Sequence, residues 1–368
     1  MKGSHSPALQ TKLFIDGEFV DASGAGTIAT LNPHDNMLIA SVAQARAEDV
    51  DRAVEAAARA FPAWRDTAAA DRGRLLIKLA DLIESRAEEL ARIESIDTGH
   101  PIRDARALDV PRTAATFRYF GGLVDKLQGS VIPVETGFLN YLVREPLGVV
   151  GQIVPWNFPI MFTSWKMGPA LAAGNCTVLK PAELTPLSSL KIAELAREVG
   201  FPKGVINIMP GYGRTAGQHL AEHPGVAKDR LYRVDRHRAA DCAGIFWKLE
   251  AGPVGAWWKG RQYRLRRRQP RSRGQRQRFR NFHHQGQACI AGSRLLLQES
   301  IADDFTNRFL KLAASIRLGN PLDPSTEMGP LTSLEHRERV LNYCKIATQE
   351  GGEILLGGKP PLADALKA

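Results

Sequence analysis

The feature that most constrains this chain is an alternation of fully apolar strands with helices that begins near residue 147. The segment LGVVGQIV (147–154) is a near-continuous apolar run, the pattern of a strand covered on both faces. A helix is predicted over 160–173, and CTVLK (176–180) is a second strand of the same kind. Thr185 then stands as a helix cap with Pro186 at the first helical position, and that helix runs to about Val199. GVINIM (204–209) reads as a third strand and about 214–222 as a further helix. Parallel strands need such crossovers, so the expected class is α/β, with a doubly wound parallel sheet.

Elsewhere the pattern is simpler. KLFIDGEFVDA (12–22) alternates around Asp16-Gly17, as a hairpin with a tight turn does. Val50, Ala53, Val54, Ala57 and Phe61 share one helical face, and 74–93 reads as one longer amphipathic helix. After 284 the alternation resumes, with a strand at 294–298, helices at 300–315 and 332–350, and a strand at EILLGG. No internal repeat is evident. With 368 residues the length prior is roughly two domains at about 150 each. No apolar run reaches the roughly 18 residues of a membrane span, and the N-terminus has no apolar signal region. The four cysteines, Cys176, Cys242, Cys289 and Cys344, are scattered, which suits a reducing cytoplasm and neither zinc nor disulfides.

The net charge is +10, yet residues 229–282 hold 16 Lys and Arg against 4 Asp and Glu. The remaining chain therefore carries −2. The basicity is local, and its aromatic residues follow no nucleic-acid-binding pattern, so no nucleic-acid partner is expected.

Three stretches carry chemistry. PWNFP follows the first apolar strand and KPAE (180–183) the second; ligands of open parallel sheets bind beyond such carboxyl ends. Lys180 suits a ribose hydroxyl or a phosphate. Glu183 suits both ribose hydroxyls of an adenosine and repels a 2′-phosphate, which favours NAD over NADP. A solvated turn is the competing reading of KPAE. In GQACIAGSR (286–294) small residues flank Cys289, as an accessible thiol requires, whereas Cys176 and Cys344 default to buried packing. A Cys289 thiolate can attack a carbonyl, and Asn157 can donate its amide to the oxyanion that develops. His283 and His284 are disfavoured as its base, because neighbouring residues on a strand point to opposite faces.

Taken together, PWNFP, KPAE, GYGRTAG and QGQACIAGSR, in this order, resemble the NAD(P)-dependent aldehyde dehydrogenase superfamily from about 12 to 228 and from 284 onward. The resemblance implies Cys289 as nucleophile and Asn157 in the oxyanion hole. It implies cofactor contacts at Ile153, Val154, Pro155, Trp156, Lys180, Ala182, Glu183, Gly213 and Gly217, with no metal. It further implies NAD as cofactor, a small-molecule aldehyde as substrate and a homodimer or homotetramer. The implied architecture is a dinucleotide domain (1–125 and 147–257), an oligomerisation arm (128–146) and an α/β catalytic domain from 258. A cofactor-independent cysteine esterase and an inactive remnant are the alternatives.

Departures from the family pattern cluster in one place. Where the family has a strand and a G-S-x-x-x-G turn, this chain reads DRLYRV from Asp229; where it has L-E-L-G-G-K, residues 250–260 read EAGPVGAWWKG. The family's later E-x-F-G-P motif is not reached by Ala368. Back-translated and shifted by one base, Asp229–Arg238 spells Ile-Ala-Phe-Thr-Gly-Ser-Thr-Ala-Thr-Gly. Gly252–Gly260 likewise spells Val-Gln-Leu-Glu-Leu-Gly-Gly-Lys, with the glutamate base across the codons of Gly255 and Ala256. Residues 229–283 thus read as aldehyde dehydrogenase sequence one base out of frame, and a GC-rich gene read that way yields arginine. Resequencing codons 220–295 tests this. Either the extra base near 229 and the missing base near 283 vanish, or both persist as a decayed locus. A segment encoded with family-unlike codons in all three frames contradicts the reading.

Overall fold

A computed structural model describes residues 9–227, 261–264 and 282–361. Most of the frame-displaced segment, Cys242 and Lys228 therefore lie outside the described residues. The described chain divides into two units, one of 9–30, 38–94 and 106–227, the other of 31–37, 95–105, 261–264 and 282–361.

The first unit opens with β1 (Leu13–Ile15) and β2 (Glu18–Val20), paired antiparallel. The turn between them takes Asp16 and Gly17 to φ 53° and 79°, the left-handed pair that a two-residue hairpin requires. β3 (Thr27–Leu31) and β4 (Leu38–Ala43) form a two-stranded ribbon. α1 (Ala47–Asp66) buries Val50, Ala53, Val54 and Ala57 as the periodicity predicts, but uses Trp64 rather than Phe61 as its buried aromatic. The single helix expected over 74–93 is two, α2 (Ala69–Ser85) and α3 (Ala87–Thr98). At Arg86 the backbone leaves helical geometry (φ −104°, ψ 20°), and Leu76, Leu79 and Ile83 before this break and Leu90 and Ile93 after it are all buried. α4 (Val110–Gly121) packs along α2.

β5 (Ser130–Ile132) and β6 (Asn140–Leu142) then make an isolated antiparallel hairpin, within the span expected for the arm. β7 (Val149–Ile153), α5 (Pro159–Ala172), β8 (Cys176–Lys180), α6 (Leu187–Val199) and β9 (Ile206–Ile208) complete the parallel core. The sheet order is β2-β1-β9-β8-β7, with β7, β8 and β9 parallel and the hairpin joined antiparallel at β9. β8, flanked on both sides, is buried at every position. β7, expected to be buried on both faces, is only half covered, because among the described residues no strand lies on its outer side. Ala227 N–H donates to Val149 O at 2.9 Å, so the chain leaving β9 has crossed back to that edge. The direction of winding reverses there, the kind of place where open α/β sheets bind ligands. Thr185 does not cap α6: its hydroxyl donates to Trp156 O at 3.1 Å, and Pro186 takes the cap position. A π-type turn, Gly213–Gly217, leads into α7 (Gln218–Glu222).

In the second unit β10 (Arg261–Arg264) pairs parallel with β11 (Arg294–Leu297). This strand inside the arginine-rich stretch was not expected from its side chains, and its ladder uses backbone groups alone. α8 (Glu299–Ala314) and α9 (Leu334–Gln349) follow, with Ser333 capping α9 by accepting from His336 N–H at 3.1 Å. EILLGG is not a strand. It has no neighbouring strand among the described residues, and Ile354, Leu355 and Leu356 are exposed.

Asn207 ties β9 to its surroundings. Fully buried, it accepts from Asp16 N–H at 3.0 Å and donates to Gly204 O at 2.8 Å and Thr177 O at 3.2 Å. Each buried polar group left without a partner costs about 1–3 kcal/mol. Asn207→Leu is therefore expected to lose about 2 kcal/mol or more in calorimetric unfolding; an unchanged Tm contradicts this.

Candidate active site

The carboxyl ends of β7, β8 and β9 lie side by side, so the loops that follow them converge. Lys180, the last residue of β8, is 2% exposed. A buried ammonium needs partners. Its Nζ donates to Glu183 Oε2 at 3.1 Å and to Gly211 O at 3.0 Å, joining the loop after β8 to the loop after β9. Val154 N–H donates to Lys180 O at 3.1 Å, which brings in the loop after β7. Gly217 lies against both neighbours: a Cβ built there would stand 3.4 Å from Lys180 Cδ and 3.8 Å from Ile153 Cδ1. Val154 and Ala182 are buried, Pro155, Trp156 and Asn157 half-buried, and Gly213 opens the turn that Gly217 closes. Asn157 directly precedes Phe158, the residue that caps α5.

The donor set fits a ribose diol. A carboxylate offers about four lone-pair sites, so the bond from Lys180 leaves Glu183 able to accept from two hydroxyls. Its side chain is 23% exposed, hence reachable from solvent.

Cys289 belongs to the other unit and is exposed. It sits in a turn closed by Ala291 N–H donating to Ala288 O at 3.0 Å. The approach to that turn is unusual: His284, Gln285 and Gly286 are all left-handed, at φ 50°, 57° and 75°. Non-glycine residues are costly there, and three amide contacts hold them. Gln285 Nε2 donates to Gly99 O at 2.9 Å. Gln287 Oε1 accepts from Thr332 N–H at 3.1 Å and from its hydroxyl at 3.3 Å. Gly99 and Gly329 allow this approach, because a Cβ on Gly329 would collide with the Gly99 carbonyl and stand 3.0 Å from Gln285 Nε2.

His284 is buried, its ring 3.6 Å from that of His100 and 3.9 Å from that of His283. Burial pushes His100 down to about 3 and lowers His284 as well, so both are neutral imidazoles. His283 Nδ1 lies 3.7 Å from Asp104 Oδ2. Cys176 is buried and its thiol is pushed up to about 12, while Cys344 is half-buried.

The structure thus gathers Ile153, Val154, Lys180, Glu183 and Gly217 into one floor, and presents Cys289 on a held turn. The carbonyl of Gly211 and the clamp of Gln285, Gln287, Gly99 and Thr332 went unread in the sequence. Two glutamines so close to the cysteine were the available signal; nothing local marks Gly99 or Thr332.

Fold and site together define an α/β protein whose loops at the carboxyl ends of parallel strands are joined through Lys180, with an exposed thiol in its other unit. The chain belongs to the aldehyde dehydrogenase family, whose model matches residues 19–229 and 275–367. It is 59% identical to a putative aldehyde dehydrogenase from Burkholderia cenocepacia, with a TM-score of 0.90 over 98% of this chain and 73% of that one. PnpE, crystallised in complex with nicotinamide adenine dinucleotide and known from Pseudomonas sp. WBC-3, is 57% identical at a TM-score of 0.90, covering 97% and 74%. The cytosolic 10-formyltetrahydrofolate dehydrogenase of Xenopus tropicalis is 42% identical over 361 residues, 95% of this chain but 39% of that protein. The chain therefore spans well under half the length of that relative. Among the described residues no helix is long and apolar enough to cross a membrane.

Thiol alkylation with iodoacetamide at pH 8 is expected to label Cys289 quickly and leave Cys176 intact, since a thiol titrating near 12 has almost no thiolate there. Peptide mass mapping reads the result. Equal labelling of both in the folded protein contradicts the assignment.

Proposed function

We propose that this chain carries the cofactor floor and the nucleophile of an NAD-dependent aldehyde dehydrogenase, oxidising a small-molecule aldehyde to a carboxylic acid. The observation that carries the reading is the joining of Lys180, Glu183 and Gly211 beside Gly217 at the ends of three parallel strands. Lys180 holds Glu183 in place, and Glu183 takes the two hydroxyls of the adenosine ribose. Main chain from Ile153 to Trp156 and the turn from Gly213 to Gly217 line the rest. The same carboxylate repels a 2′-phosphate, so NAD is preferred to NADP. When bound, NAD supplies the hydride acceptor.

The chemistry of the chain's own residues centres on Cys289. Its thiolate adds to the aldehyde carbonyl to give a thiohemiacetal, with the Asn157 amide donating to the oxygen that becomes negative. Oxidation leaves a thioester, which water opens to release the acid and the thiol. In the family resemblance a glutamate activates that water; in this chain the codons of Gly255 and Ala256 stand there, so the chain as written is expected to be impaired. Two observations favour the displaced frame: the family match stops at 229 and resumes at 275, and Ala227 begins to pair on the open edge of β7. The hairpin of β5 and β6 supports association of like subunits, because Val131, Phe138 and Tyr141 stand exposed at 72%, 78% and 60%.

Calorimetric titration with NAD and NADP tests the floor. A hydrogen bond to a charged group is worth about 1.5–3 kcal/mol, so Glu183→Gln should weaken NAD binding by about 10- to 100-fold. It should also narrow the preference over NADP. NAD affinity unchanged by the substitution overturns the assignment of Glu183, and no binding to the unaltered chain overturns the proposed function.

A further inference from the structure

α7 and α1 carry a group of side chains that the proposed reaction does not use. His219 and His223 are four residues apart and so share one face of the turn that ends α7. Asp51 meets them from α1. His219 Nε2 lies 2.6 Å and His223 Nε2 3.2 Å from the same Asp51 Oδ1, and the two rings meet edge to face at 5.6 Å. The three ligand atoms lie within 4.8 Å of one another, and all three residues are half-buried.

We propose that Asp51, His219 and His223 form a binding site for a divalent transition metal of the zinc class. Two imidazoles and one carboxylate are a donor set that zinc and its neighbours take, whereas magnesium and calcium prefer oxygen alone. Zinc–nitrogen and zinc–oxygen bonds of about 2.0–2.2 Å at the tetrahedral angle place adjacent ligand atoms about 3.4 Å apart. The His223 separation of 3.2 Å is close to this, and the hydrogen-bonded His219 separation of 2.6 Å has to open to admit the ion. Partial exposure leaves the outer coordination positions to water.

The protons define the cost. Gly225 N–H donates to His223 Nδ1 at 2.9 Å, so the ring proton is on Nε2 and points at Asp51. Coordination through Nε2 moves that proton to Nδ1, and the Gly225 N–H must then bond to water. Gly225 is exposed, so water reaches it. Binding therefore rearranges the turn at 223–225 without net proton release from a neutral ring. The ion would also fasten α7, whose leading Gly217 rests on Lys180, to α1.

The test is calorimetric titration of the full chain with zinc chloride, repeated with magnesium chloride. One saturable zinc site and no magnesium site are expected. Loss of even an outer partner of a metal ligand costs about 10–100-fold in affinity. His219→Ala and His223→Ala should each therefore weaken zinc by at least about tenfold. Asp51→Asn, which keeps shape and size, should also weaken it and guards against misfolding of the alanine variants. Zinc affinity unchanged in all three variants places the ion elsewhere on the chain and overturns the proposal, as does the absence of saturable binding.

Discussion

The buried ammonium of Lys180 sets the geometry of the first unit. A charge under the floor of a site is tolerable only with fixed partners, and here one comes from each of two loops: the carboxylate of Glu183 and the carbonyl of Gly211. β8 must end at that residue, in that register between β7 and β9, for the contacts to form. The same pairing fixes one oxygen of Glu183, which stands half-buried on the turn after β8. One buried charge thus converts a common α/β arrangement into a surface with a specific hydrogen-bonding character.

A comparable economy governs the second unit. The turn bearing Cys289 follows left-handed His284, Gln285 and Gly286, a conformation costly for the first two. Gln285 and Gln287 hold them by reaching to Gly99 and Thr332, segments far away in sequence. The exposed thiol thus follows a segment anchored by these hydrogen bonds, while Cys176, buried in β8, is kept protonated by the same packing that makes its strand central. Burial thus separates the two cysteines, Cys289 exposed on its turn and Cys176 enclosed in β8.

Much of this was legible beforehand, for identifiable reasons. β8 was read to the residue because a central parallel strand is apolar throughout and bounded by turn residues. The hairpin at Asp16-Gly17 was legible from its turn chemistry, but its addition to the edge of the main sheet beside β9 was not, since that depends on Asn207 reaching across to Asp16. Thr185 looked like a helix cap; its hydroxyl instead serves the carbonyl of Trp156, a tertiary choice that local sequence cannot reveal. The break at Arg86 and the failure of EILLGG to form a strand have the same origin, because packing partners decide both. The arginine-rich stretch was legible as foreign to its surroundings, and the family match leaves 230–274 out.

The proposed activity requires that the loops ending β7, β8 and β9 form a dinucleotide floor. Amide hydrogen exchange with and without NAD tests it most directly. The predicted result is slowed exchange confined to 153–157, 180–183 and 211–217, with α9 unchanged. Protection elsewhere, with none in these three loops, would contradict it.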